Sequence, residues 1–121
     1  ASVLVIWHRA AYRRKENDQK RDNIVTRSVI ADLDKAISLA PSNPYLYYNR
    51  GNAYAEGSDF DKAIDDYNRA VELDPKMAEA YYNRGLAKLK LKKTKEAIVD
   101  LGKAGEGGLY KAYSVIKKYS K

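Results

Sequence analysis

Cysteine is absent from this chain of 121 residues, and histidine, methionine and tryptophan each occur once. Without cysteine the chain has no disulfide, no thiolate zinc site and no cysteine nucleophile. The single histidine, His8, leaves little from which to build an imidazole metal site or a hydrolytic triad. The sequence also lacks a glycine-rich turn between a strand and a helix that could hold a phosphate. We therefore expect a non-catalytic protein that uses no cofactor and no metal ion.

Long apolar runs are missing too. The longest is Val3–Trp7, far below the roughly 20 residues of a membrane-spanning helix, so we expect no transmembrane segment. Apolar residues make up 45% of the chain and charged residues 32%, a balance typical of one small folded domain. The chain starts at Ala1 without the pattern of a signal peptide, and its one methionine is Met77, so we expect a piece of a longer protein.

Positive charge is concentrated at the two ends of the chain. The net charge of +7 divides into +4 for residues 1–28, −4 for residues 29–87 and +7 for residues 88–121. A nucleic-acid-binding protein is expected to gather its basic residues on one continuous face. Because the basic segments here lie at opposite ends of the sequence, we do not expect nucleic acid to be the partner.

A motif of seven residues occurs twice, 34 positions apart. Tyr47–Ala53 reads YYNRGNA and Tyr81–Ala87 reads YYNRGLA, so six of the seven residues are identical. The same shift superposes Ala63 on Ala97, and a backward shift matches residues of the segment 28–43 to the second half of the middle unit. At least two and a half units of a 34-residue repeat are therefore present.

Each unit predicts two amphipathic helices. Between Phe60 and Val71, apolar residues recur with the spacing of i, i+3, i+4 and i+7 that lines one face of a helix. Asn43 followed by Pro44 supplies an N-cap acceptor and a proline at the first helical position, and residues 57–59 supply a turn and the next cap. The predicted helices cover residues 44–56, 60–73, 78–91 and 94–104.

The middle unit resembles the tetratricopeptide repeat, a unit of 34 residues with aromatic, small and proline residues at fixed positions. The residues that carry the resemblance are Tyr47, Gly51, Tyr54, Ala63, Tyr67, Ala70 and Pro75. Independently of the resemblance, Gly51 and Ala63 are small where two helices would have to cross with their axes about 8 to 10 Å apart. The third unit departs from the pattern with Lys88 in place of Tyr54 and Leu109 in place of Pro75.

The expected fold is all-α, a right-handed superhelix of antiparallel helix hairpins with a C-terminal capping helix. We expect one domain over residues 1–121. It would contain an N-terminal helix and degenerate repeat in 1–43, a full repeat in 44–77, a further repeat in 78–108 and the capping helix in 109–121. Gly105–Gly108 is expected to form the loop before the capping helix.

The N-terminal segment departs most from the repeat. Arg13–Asn23 contains no apolar residue, and Asn17 occupies the position of Gly51. We expect the front helix to pack on the second helix of the incomplete first unit. Its apolar start, Val3–Trp7, predicts a contact either with another part of a longer protein or with a second copy of the chain, and the sequence leaves both possibilities open.

The first helix of each unit carries a stripe of mostly polar and aromatic residues on the side opposite its predicted core face. No packing role is apparent for this stripe. Its members are Tyr45, Tyr48, Asn49, Asn52 and Glu56 in one unit, and Glu79, Tyr82, Asn83, Leu86 and Lys90 in the next. Tyrosine offers a large contact area, and asparagine can pair with both the N–H and the C=O of a bound backbone. The resemblance implies that these positions face a concave groove that receives a peptide or protein segment. We predict a protein–protein interaction module that binds its partner there.

The resemblance also bears on the ligand. Members of the family that bind the acidic tails of chaperones have lysines beside such asparagines, and these lysines hold the carboxylates of the tail. Tyr48 and Tyr82 occupy the lysine positions here, so we do not expect a carboxylate clamp of that kind. We expect Arg50 and Arg84 to form ion pairs with acidic residues such as Asp65 or Asp66 on a neighbouring helix. We also expect the carboxylates of Asp65 and Asp66 to lie on the solvent-exposed side of their helix.

Two alternatives remain open at this point. The lysine-rich end of the chain, comprising Lys88, Lys90, Lys92, Lys93, Lys95 and the tail lysines, could bind nucleic acid or an anionic surface. The repeats could instead form a structural docking module that dimerises through the N-terminal helix.

Overall fold

The computed structural model describes residues 3–120, without the side chains at positions 4, 5, 7 and 11–22. This part of the chain forms six α-helices and no β-strand. The helices are α1 (Val3–Leu39), α2 (Pro44–Glu56), α3 (Phe60–Leu73), α4 (Ala78–Lys90), α5 (Thr94–Glu106) and α6 (Lys111–Tyr119). Among the described residues, no helix has the length and apolar character needed to cross a membrane.

Helices that are consecutive in the chain pack against each other. α2 pairs with α3 and α4 with α5, and these two hairpins join through the contact of α3 with α4. α6 packs on α5 and covers the end of the second hairpin. The predicted all-α superhelix of hairpins with a capping helix is thereby confirmed.

The core of the hairpins is built from small residues. Ala63, Ala70, Ala97 and Ala104 are completely buried, and the largest fully buried side chains include Tyr67 and Leu101. Small residues at these positions allow two helices to approach closely, and one large residue in each second helix fills the space that remains.

The glycines of the repeated motif lie at the helix crossings. A Cβ atom at Gly51 would lie 2.7 Å from Cε1 of Tyr67 and 3.2 Å from the carbonyl oxygen of Ala63. The equivalent atom at Gly85 would lie 3.0 Å from Cγ of Leu101. The predicted need for a small residue at these crossings is therefore confirmed, because no side chain fits at Gly51 without moving a buried ring.

Caps and turns follow the predicted pattern. The Oδ1 atom of Asn43 accepts a hydrogen bond from the N–H of Tyr45 at 3.0 Å, with Pro44 in the first turn of α2. The turns inside the two hairpins share one conformation, because Ser58 and Lys92, which are 34 positions apart, have φ angles of 61° and 62°. This left-handed region is unfavourable for residues other than glycine.

The N-terminal region differs from the expectation. Val3–Leu39 is one continuous helix of 37 residues, with a length of about 55 Å, so the predicted packing of a front helix on the second helix of the first unit is wrong. No glycine or proline occurs in this segment, and nothing therefore ends the helix where a hairpin turn would be needed. The last part of α1 packs on α2, where Asp34 accepts a hydrogen bond from Arg50 at 2.9 Å.

The continuous helix leaves apolar side chains of α1 exposed. Ile24, Val25 and Val29 have 62%, 55% and 42% of their surface accessible. In α3 the equivalent of Val29 is Ala63, which packs beneath Gly51 of the preceding helix, whereas α1 has no preceding helix of its own. The predicted contact through Val3–Trp7 falls largely on side chains outside the described residues.

The end of α5 also differs from the expectation. Gly105 lies inside α5, which continues to Glu106, and not in the loop. The close approach of α6 requires glycine at this position, because a Cβ atom at Gly105 would lie 2.6 Å from Cζ of Tyr113. Gly105 is thus a packing residue, and the turn begins at Gly107.

Candidate functional site

A cleft of about 380 Å³ opens between α2 and α4, above α3. Its lining residues are Asn52, Ala55, Glu56, Phe60, Tyr67, Asn83, Leu86, Ala87 and Lys90. Half of the ten predicted contact residues are among them, namely Asn52, Glu56, Asn83, Leu86 and Lys90. The cleft arises because the first helices of the two hairpins lie side by side, while their second helices form the layer behind them.

Two asparagine side chains join the walls of the cleft. The Nδ2 group of Asn83 donates to Oδ1 of Asn52 at 2.9 Å and to the hydroxyl of Tyr48 at 3.1 Å. The hydroxyl of Tyr67 donates to the same Oδ1 atom at 2.6 Å. The expectation that this stripe has no packing role is therefore wrong for Asn52, Asn83 and Tyr48, which link α2, α3 and α4.

The network leaves one donor and one acceptor unused. Within the described part of the chain, the Nδ2 group of Asn52 and the Oδ1 atom of Asn83 make no hydrogen bond. Both side chains line the cleft and are half-buried. The wall of the cleft can thus pair with one C=O and one N–H of a guest.

Two of the three predicted contact tyrosines, Tyr48 and Tyr82, pack against other side chains. Tyr48 is half-buried, and its ring centroid lies 6.1 Å from that of Tyr67. Tyr82 packs on the cluster around Leu101, and the ammonium group of Lys111 lies 4.7 Å from its ring centroid. Neither tyrosine lines the cleft.

The other predicted contact residues lie away from the cleft. Tyr45, Asn49 and Glu79 are exposed on α2 and α4, but none of them lines it. Tyr45 and Glu79 lie in the first turns of α2 and α4, whereas the residues of these helices that line the cleft come later, from Asn52 on α2 and from Asn83 on α4. Asn49 lies three residues before Asn52 on α2.

Sequence reasoning missed the floor of the cleft. Phe60 and Tyr67 belong to α3, and Tyr67, one of the residues that carry the resemblance, is 1% exposed and yet borders the cleft. Burial raises the pKa of the Tyr67 hydroxyl, with smaller contributions from the nearby Tyr48 and Asp66, so it stays a hydrogen-bond donor at neutral pH. The spacing of three residues from Asn52 to Ala55 and of four from Asn83 to Ala87 was a signal in the sequence that could have indicated these two missed wall residues.

The repeated arginines hold the hairpins together. Arg50 binds Asp66 through Nε and Nη2, at 2.8 Å each, and Arg84 binds Asp100 in the same way at 2.9 and 2.7 Å. These hydrogen bonds raise the pKa of Arg50. The predicted pairing of the two arginines with acidic residues is confirmed. The expectation that Asp66 lies on a solvent-exposed side of its helix is wrong, because Asp66 and its counterpart Asp100 are 5% and 2% exposed.

The lysines of the lysine-rich end differ in their surroundings. Lys88 is half-buried and its Nζ atom lies 2.9 Å from Oδ2 of Asp100, while Lys90 faces the cleft. Lys92, Lys93 and Lys95 are exposed around the turn between α4 and α5. Among the described residues, no three His, Asp or Glu side chains are placed to hold a metal ion.

Two family models match the chain. The TPR repeat model matches residues 51–92, and the tetratricopeptide repeat model matches residues 33–65. No match is found among the curated proteins.

Solved structures of repeat domains resemble the whole fold. The first TPR of Spaghetti (RPAP3), bound to the HSP90 peptide SRMEEVD, is 29% identical, with a TM-score of 0.77 over 88% of this chain and 86% of that chain. The TPR domain of Arabidopsis OM64 is 28% identical, with a TM-score of 0.75 over 92% and 86%. The second TPR domain of human RPAP3, in complex with the HSP70 peptide SGPTIEEVD, is 25% identical, with a TM-score of 0.72 over 84% and 91%. The chain therefore carries tetratricopeptide repeats over residues 33–92.

Proposed function

We propose that this chain is a protein–protein interaction module that binds an extended peptide segment of its partner in the cleft between α2 and α4. The observation that carries the proposal is the asparagine pair, whose unused donor on Asn52 and acceptor on Asn83 match the needs of a peptide backbone. Phe60 and Leu86 add an apolar wall for a side chain of the guest.

The similar domains support a peptide as the guest. The TPR of Spaghetti and the second TPR domain of human RPAP3 were each solved with a chaperone peptide. The identity of those peptides does not transfer to this chain, because Tyr48 and Tyr82 replace the lysines expected beside the asparagines. A cleft of this size is short, and we expect an affinity on the order of micromolar.

A pair of matched variants tests the proposal. Glu56 and Glu79 are both exposed glutamates on first helices of the hairpins, but only Glu56 lines the cleft. Peptides are first selected from a phage library of random twelve-residue sequences against the wild-type chain, and their affinities are measured by fluorescence anisotropy. We expect Glu56→Trp to block the cleft and weaken binding by about tenfold or more, and Glu79→Trp to bind as the wild type does.

Two outcomes would contradict the proposal. In the first, the wild-type chain selects no peptide from the library. In the second, the Glu56→Trp and Glu79→Trp variants bind the selected peptides with equal affinity. Measuring the affinities at low and high salt tests the alternative of anion binding by the lysine-rich end, because counterion release makes such binding collapse with added salt. Binding in the cleft through amide groups and apolar contacts should change little.

A further inference from the structure

The solvent-facing side of α5 differs in chemistry from the same side of α3. On α5 it consists of residues spaced by i, i+4, i+7 and i+11, which are Lys95, Val99, Gly102 and Glu106. None of these belongs to the buried residues of the helix, and Val99 has 59% of its surface accessible. The 34-residue shift places at the same positions of α3 the residues Asp61, Asp65, Asn68 and Glu72. The last repeat thus replaces an acidic face with one that carries both signs of charge, a valine and a glycine.

Gly102 has no neighbour that explains it. Four glycines lie within helices of the described part of the chain, and three of them, Gly51, Gly85 and Gly105, sit at helix crossings, where an added Cβ atom would lie 3.0 Å or less from a side-chain atom of another helix. At Gly102 the same atom would meet nothing within 4 Å. Glycine weakens a helix interior relative to alanine, and no contact of the described chain requires it here. The position suits the crossing of a helix that belongs to another molecule.

A second copy of α5 fits this face when the two helices run antiparallel. In the symmetric register, Lys95 lies opposite Glu106 of the second copy, and Val99 lies opposite Gly102 of the second copy. Each valine then enters the space that the glycine of the other helix leaves open. The two-fold symmetry makes both contacts occur twice.

The positions beside this face are self-complementary as well. In the same register, Glu96 lies beside Lys103 of the second copy, and Ile98 lies beside Gly105 of the second copy. The exposed ring of Tyr113 borders Gly105 and extends the apolar contact. The two lysines and two glutamates of this surface are exposed, and none of them makes an ion pair within the described part of the chain. Every charge of the surface would therefore meet an opposite charge across the interface.

The equivalent face of α3 does not have this property. In the same antiparallel register, Asp61 would lie opposite Glu72 of a second copy, and like charges that face each other across an interface weaken it. The self-complementary pattern is thus not a general feature of the repeat. It favours a second copy of α5 as the occupant of this face.

We propose that two copies of this chain associate through the solvent-facing side of α5 as an antiparallel, two-fold symmetric dimer. No residue of this side lines the cleft between α2 and α4, so the dimer leaves both peptide clefts open. One pair of short helices buries little surface, and we expect a dissociation constant on the order of 100 µM. The chain is then monomeric at the low concentrations used for unfolding experiments.

Sedimentation equilibrium of the full chain, at concentrations on both sides of that value, tests the proposal. We expect Lys95→Glu and Glu106→Lys each to weaken the dimer by about tenfold or more, because each places like charges opposite each other. The double variant Lys95→Glu with Glu106→Lys should associate as the wild type does. The two positions are about 16 Å apart along one helix, so such a rescue reports a contact between copies. Neither change should unfold α5, because an acid in the first turn and a base in the last turn favour a helix.

Two controls locate the contact. Lys76→Glu makes the same change in net charge as Lys95→Glu at an exposed lysine outside α5, and it should leave association unchanged. Ile6→Glu changes an exposed residue of α1 and tests the alternative of dimerisation through the N-terminal helix. Association that is lost in Ile6→Glu and kept in Lys95→Glu would assign the dimer to α1 and overturn the proposal.

A wild type that stays monomeric at all concentrations would also refute the α5 dimer, and so would a double variant that fails to recover. These results would leave the proposed peptide binding intact, because it depends on another face of the molecule. Conversely, a wild type that dimerises as expected but selects no peptide would refute the proposed function and not the dimer.

Discussion

Replacing Gly51 with alanine tests the feature on which the hairpin depends, the close crossing of α2 and α3. The added Cβ atom would lie 2.7 and 2.9 Å from two ring atoms of Tyr67. The ring has little room to move, because it is 1% exposed and its hydroxyl is bonded to Asn52 at 2.6 Å. Alanine therefore forces either α2 or the ring to shift.

The size of the effect follows from two opposing contributions. Alanine in a helix interior is favoured over glycine by about 0.5 to 1 kcal/mol, while overpacking a dense core costs about 1 to 3 kcal/mol. We expect the free energy of unfolding to fall by about 1 to 2 kcal/mol. The control is Gly102→Ala in α5, where no atom lies within 4 Å of the new Cβ, and the same reasoning gives a gain of about 0.5 to 1 kcal/mol.

Urea unfolding followed by circular dichroism at 222 nm measures both variants against the wild type. The two substitutions are chemically identical and both lie within helices, so their difference isolates the crossing. Equal stability of the Gly51→Ala and Gly102→Ala proteins would refute the close approach of α2 to α3. The Gly51→Ala variant should also bind selected peptides more weakly, because a shift of Tyr67 disturbs its bond to Asn52 at the cleft.

Three further predictions concern single side chains and use the same unfolding measurement. Lys92→Gly should raise the free energy of unfolding by about 0.5 to 1 kcal/mol, because glycine adopts the φ of 62° without strain; a loss of stability would contradict this. Arg84→Met should lower it by about 3 kcal/mol, since Asp100 is 2% exposed and loses two of its hydrogen bonds, and an unchanged midpoint would argue against a buried ion pair. Tyr67→Phe should cost about 1 kcal/mol at pH 7 through the lost bond to Asn52. Burial raises the pKa of Tyr67, so the wild type should lose stability as the pH rises above about 10, and the phenylalanine variant should lose less; parallel pH profiles would exclude this.

Local patterns predicted much of the fold for reasons that are visible in particular residues. The cap at Asn43 and the apolar spacing from Phe60 onward depend on neighbours within one helical turn, and α2 and α3 have the predicted bounds. The bounds of α4 and α5 were less accurate, by one residue at Lys90 and two at Glu106. The packing role of Gly105, near the end of α5, depends on the ring of Tyr113, which belongs to another helix.

The candidate site was predicted only in part, because a helical face shows where a side chain points but not what it meets. The spacing along α2 and α4 correctly grouped Asn52 and Glu56 with one surface. It could not show that Tyr48 is used in packing, or that Tyr67 reaches the cleft from α3. These outcomes depend on the angle and offset between neighbouring helices.

The amino-acid sequence by itself determined the 34-residue period, the small residues at the crossings and the pairing of Arg50 and Arg84 with acids, because each depends on local spacing or on a repeat of identical residues. Only the tertiary structure decided that Val3–Leu39 is one helix and that side chains of α2, α3 and α4 together line one cleft. A cleft is the space between side chains of separate helices, and its shape and composition are set when those helices pack.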